Sequence, residues 1–150
     1  MGARQFGFFA SIMLASAAGA LGQASPPNDS FANRTVITGS SLTFTGTLAG
    51  ATLETGEPAT SCSTSVSGGS VWWTWTASDS TPVTISIVRD YSSYNSFNTW
   101  LEVCSGTNLN ALTEIDCNRF DGPPGRYVKF AATAGTPYQS VANRSWPVAR

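Results

Sequence analysis

The chain has 150 residues, with eight basic and nine acidic side chains and no histidine. Near-neutral charge without a basic patch excludes a nucleic-acid partner, and the missing histidine removes the commonest general base and metal ligand. The length gives room for one domain around one core.

Residues 1–24 read as a secretory signal. Arg4 supplies the positive start, 6–20 is an apolar run, and Gly22-Gln23-Ala24 offers small residues for cleavage. The run falls short of the about 20 apolar residues of a spanning helix. Cleavage after Ala24 is expected, leaving a secreted or cell-surface chain with no membrane segment. In an oxidising compartment the three cysteines should form one bridge and leave one thiol over. Cys104 and Cys117 flank a polar loop, 105–110, between two strand-like runs and are the expected pair, worth roughly 3 kcal/mol in the chain-entropy model. Cys62 is left as a free thiol or with a partner outside this chain.

After Ala24, Pro26 and Pro27 force an extended start, and Asn28 and Asp29 offer side-chain oxygens. Thr35 to Ile37 is a short candidate strand, and Ser41 to Ala51 alternates before glycines bend it. From Thr52 to Gly69, Ser, Thr, Gly and Pro dominate, with Glu54, Glu57 and Cys62 embedded and no apolar period, so one long surface loop is expected. Loops of that length usually carry function or an ion.

Residues 70–77, Ser-Val-Trp-Trp-Thr-Trp-Thr-Ala, form the strongest element. Val71, Trp73 and Trp75 alternate with Trp72, Thr74 and Thr76, the period of a strand with two unlike faces. The two threonines mark the wetter face, so Val71, Trp73 and Trp75 are expected inward and Trp72 outward or into a groove. A turn at 78–82 and the alternation of Val83, Ile85 and Ile87 predict a hairpin. Residues 89–98 read as a loop, and 100–104 and 112–117 as paired strands. Asp121 to Gly125 is a turn, and 127–131 a strand. No helical period appears beyond the signal. Short strands at this spacing predict an all-β, antiparallel sandwich.

Four stretches in order, Pro27 to Ala32, Gly50 to Pro58, Ser70 to Ala77 and Phe97 to Thr99, resemble the bacterial pre-peptidase C-terminal domain family over residues 26 to about 139. The resemblance implies a jelly-roll-like β-sandwich, secreted and non-catalytic, appended to extracellular proteases and other large surface proteins. It divides the chain into a signal at 1–24, a domain at 25–139 and an atypical tail at 140–150. Related collagen-binding domains hold calcium partly through a Glu-Pro-Asn-Asp string. Here Pro27, Asn28 and Asp29 match, while Pro26 stands in place of the glutamate. The aspartates that precede the aromatic strand in those relatives are replaced by Gly68, Gly69 and Ser70. Glu54 and Glu57 can substitute as oxygen ligands, making Asn28, Asp29, Glu54 and Glu57 the candidate calcium set. In the alternative, Asn28 and Asp29 cap a turn and the glutamates are solvated. Where the family ends on an alternating strand, 140–150 is polar and carries Pro147, so the last strand is expected to be truncated or altered, exposing a sheet edge.

No constellation states a reaction. Serines lack a base, Cys62 lacks a histidine partner, and no spacing selects two carboxylates for glycoside hydrolysis. A non-catalytic adhesion or substrate-targeting module is the expectation, with an extracellular protein or polysaccharide as partner and Trp72, Tyr91, Tyr94 and Trp100 as candidate surface anchors. The alternatives are a structural or secretion-related appendage with no ligand, and a carbohydrate-active enzyme or carbohydrate-binding module.

Overall fold

A computed structural model describes residues 23–40, 45–62, 68–87, 98–118 and 126–145. The signal run, Tyr91 and Tyr94 lie outside the described residues. Within them the chain forms strands β1 (Thr35–Ile37), β2 (Gly69–Thr76), β3 (Pro82–Ile87), β4 (Asn98–Ser105), β5 (Thr113–Asn118), β6 (Arg126–Ala131) and β7 (Pro137–Ser145). The described helix is limited to two single 3-10 turns, Phe31–Asn33 and Leu109–Ala111. No helix among the described residues is long and apolar enough to cross a membrane.

The strands build an all-β, sandwich-like pair of sheets, one of five strands in the order β1-β2-β7-β4-β5 and one of two, β3-β6. Apart from the parallel β1-β2 pair, all neighbours are antiparallel. β2 pairs with β1 and β7 and β3 with β6, so the expected β2-β3 hairpin does not form: the turn near 78–82 passes the chain from one sheet to the other. Residues 45–51, expected to belong to a strand, lie outside any strand.

The expectation of a missing last strand is overturned. Residues 137–145 form β7, which sits centrally and pairs with β2 along one edge and β4 along the other. Polar residues are accommodated because β7 alternates: Tyr138 and Ala142 enter the inter-sheet core, while Gln139, Val141 and Asn143 point to the opposite face.

The inter-sheet core joins Leu101, Val103 and Tyr138 of the large sheet to Val83, Ile85, Val128 and Phe130 of the small one. Trp75 stacks on Tyr138 at 6.1 Å between ring centroids. Val71 and Trp73 continue this layer against Ala51 and Ala142. The inward assignment of Val71, Trp73 and Trp75 therefore stands, but Trp72 is also buried, at 1 % exposure. The second face of the large sheet is covered by the segment Pro26 to Asn33 and by the 52–62 loop. Phe31 meets the Trp72 ring edge-on at 5.2 Å, and Val141, Leu109 and Leu112 complete a separate apolar cluster. Trp100, also expected on the surface, is 5 % exposed on β4.

Candidate functional site

Strand register gives the covered face a row of side chains running across four strands. Trp72 on β2 opposes Val141 on β7, which opposes Glu102 on β4, which opposes Cys117 on β5. One rung over, Ser70 opposes Asn143, which opposes Trp100. This face combines buried aromatic rings with buried polar groups: Ser70, Glu102, Gln139 and Asn143 are all buried.

The 52–62 loop crosses over this row and is fastened by side chains rather than by a ladder. An amide removed from water needs a partner, and here carboxylates supply it. Asp29 accepts from the Thr52 amide at 2.6 Å and the Thr52 hydroxyl at 2.7 Å. Glu54 accepts from the Phe31 amide at 2.8 Å. Glu57 accepts from the Glu54 amide at 2.7 Å and the Ser70 hydroxyl at 2.6 Å. Asn28 extends the ladder beside β2 by one residue, since its carbonyl accepts from the Trp72 amide and its side-chain amide donates to the Trp72 carbonyl, both at 3.0 Å. Gly69 is required where the loop joins β2. Its φ is +149°, and a Cβ there would stand 2.2 Å from the Ala51 carbonyl oxygen.

A disulfide between Cys62 and Cys117 pins the far end of the loop to β5. This corrects the expected Cys104–Cys117 pair. Cys104 opposes Glu114 across the β4-β5 ladder, displaced along the strand from the Glu102–Cys117 rung, and its buried thiol donates to Glu102 at 3.2 Å. Burial, reinforced by the Glu102 charge, pushes the Cys104 thiol far above its usual range. Ser61 hydrogen-bonds to Glu114 and to the Cys117 sulfur beside the bridge.

Between loop and sheet lies a cleft of about 230 Å³, with Trp72, Glu102, Val141 and Asn143 as its floor and residues 53–59 as its roof. Among the described residues its ionisable lining is acidic: Glu54, Glu57 and Glu102. Burial raises the Glu57 carboxyl above its ordinary range, against the lowering effect of the Ser70 and Glu54 donors. Burial likewise raises Glu102, opposed by hydrogen bonds from Cys104 and Thr60. The indole nitrogen of Trp72 and Oδ1 of Asn143 find no hydrogen-bond partner among the described residues.

The structure uses the candidate calcium residues for the chain's own hydrogen bonds: Asp29, Glu54 and Glu57 accept through their carboxylates, and the Asn28 side chain donates to Trp72. A calcium ion takes six to eight oxygens converging on one point. Among the described residues no group of three or more His, Cys, Asp or Glu is placed to hold a metal, and these carboxylates face separate amides and hydroxyls. Trp72 and Trp100, expected as surface anchors, are both buried, Trp72 against Phe31 of the N-terminal segment. Glu102 was one of several carboxylates that no spacing singled out, and Asn143 carries no local motif of a binding site; strand register sets both on the face that the 52–62 loop covers. Compared with known proteins, the chain matches no family model, no curated protein and no solved structure.

Proposed function

We propose that the protein is a secreted, non-catalytic binding module, a jelly-roll-like sandwich related to pre-peptidase C-terminal domains, which takes an extracellular polysaccharide or protein group in the cleft under the 53–59 loop. One observation carries this reading: two side chains on the cleft floor, Trp72 at 1 % and Asn143 at 4 % exposure, each hold a polar atom without a partner among the described residues. Leaving such a group unmet costs about 1–3 kcal/mol, a cost that a bound polar group relieves. Two facing sheets support the sandwich reading.

The test is retention of the full chain on immobilised polysaccharides and matrix proteins, compared with Ala59→Trp, which fills the cleft from an exposed loop position. Retention by one support, lost in Ala59→Trp with the fold intact, is the expected result. Equal retention of both proteins would place binding outside the cleft, and retention by no support favours an appendage without a ligand.

A further inference from the structure

We propose that the group held in this cleft is a protonated amino sugar, its ammonium set between Glu57, Glu102 and Asn143 and a neighbouring hydroxyl accepting from the Trp72 indole N–H. The inference rests on the cleft being a ligand site and adds the chemistry of the ligand.

The lining is unequal in acceptors and donors. Glu54, Glu57 and Glu102 contribute carboxyl oxygens and Asn143 a carbonyl oxygen without a partner among the described residues, and among those residues no lysine or arginine lines the cleft. A ligand for this surface must bring N–H donors, and a positive charge relieves the cost of burying carboxylates together. Among the described residues no three His, Cys, Asp or Glu stand together for a divalent metal. An alkylammonium would answer the charge but leave the Trp72 N–H unmet. A group carrying both an ammonium and a vicinal hydroxyl meets the acceptors and the single donor together. Volume agrees, because about 230 Å³ accommodates one monosaccharide ring and excludes a folded polypeptide element. Leu53, Pro58, Ala59 and Val141 supply apolar walls for the ring C–H faces.

The acidic residues alone would not carry this assignment, since carboxylates along a loop are often solvated. Independent support comes from Trp72 and Asn143, both more than nine-tenths buried, both lining the cleft and each holding a polar atom without a partner among the described residues. Ordered water can meet such atoms, and the test separates water from ligand.

Thermal unfolding of the oxidised full chain is measured with D-glucosamine, D-glucose or N-acetyl-D-glucosamine at a pH where the amine is protonated. At about 100-fold excess over the dissociation constant, a ligand specific for the native state raises the midpoint by several degrees. Glucosamine is expected to do so and the two neutral sugars are not. Glu57→Gln is expected to weaken glucosamine about tenfold or more, the effect of one charge-assisted hydrogen bond. Because Glu57 also holds the loop, Ala59→Trp serves as a second variant and should abolish the shift. Oligomers of glucosamine, run in parallel, separate a free sugar from a glycan end by the tighter of the two. Equal shifts with all three sugars would overturn the ammonium assignment and leave the cleft reading standing. No shift with any sugar, alongside retention that Ala59→Trp abolishes, would do the same. A glucosamine shift unchanged in Ala59→Trp would place binding elsewhere and overturn both.

Discussion

Removing the Cys62–Cys117 bridge by the double change Cys62→Ser, Cys117→Ser tests both the corrected pairing and the role of the 52–62 loop. The bridged residues are 55 positions apart, and the chain-entropy relation assigns a loop of that size about 4 kcal/mol at 25 °C. For a domain of this size such a loss lowers the melting midpoint by about 15 °C. The bridge closes a segment fastened mainly by Asp29, Glu54 and Glu57 hydrogen bonds, so its loss loosens the roof of the cleft before it disturbs the inter-sheet core. Calorimetry with and without reductant reads the midpoint, and non-reducing peptide mapping reads the pairing. The mapping should join the peptides containing Cys62 and Cys117, and Cys104→Ala should keep both the cross-link and the sensitivity to reductant. If Cys104→Ala abolishes that sensitivity, or if reduction leaves the midpoint unchanged, the pairing and the reasoning fail together.

Trp72→Ala should cost roughly 3–5 kcal/mol in urea unfolding, as large as Trp73→Ala, because both rings are buried; an undisturbed midpoint for Trp72→Ala would return that ring to the surface. Glu57 and Glu102 bind their protons more tightly folded than unfolded. Their contribution to stability is therefore greatest below the unfolded carboxyl range, about pH 4.5, and declines as pH rises through the raised folded values. Glu57→Gln should flatten the decline measured by urea midpoints between about pH 4 and 8, and an unaltered slope would show that Glu57 titrates normally. Cys104 should resist iodoacetamide in the native protein and react once unfolded, since burial disfavours the thiolate; native-state labelling would contradict that burial. Millimolar calcium should leave the melting midpoint unchanged, whereas a rise of several degrees would show the Asp29, Glu54 and Glu57 oxygens regrouping around the ion.

The strand pattern was legible because it is local. The alternation of Val71, Trp73 and Trp75, of Val83, Ile85 and Ile87, and of the 127–131 run is written within each segment, and β2, β3 and β6 lie where that period places them. Asn28, Asp29, Glu54 and Glu57 were singled out for their side-chain oxygens, and in the fold the three carboxylates accept from the chain's own donors. A carboxylate reads the same in sequence whether it waits for a cation or accepts from an amide, and the deciding amides, those of Phe31 and Thr52, belong to segments with no ladder of their own.

The sequence by itself determined an all-β chain, the positions of most strands and the inward set Val71, Trp73 and Trp75, since a period of two marks alternate faces wherever one of them is buried. It could not say that the other face is buried too, because the cover consists of aperiodic Pro, Ser, Thr and Gly segments whose burial depends on distant carboxylates. The tertiary structure alone decided that 137–145 is the central strand, that Cys62 rather than Cys104 bridges Cys117, and that Trp72, Glu102 and Asn143 share one cleft. Each is a matter of register between segments tens of residues apart in the chain. Register is set by packing across the sheet and leaves no mark in any one segment.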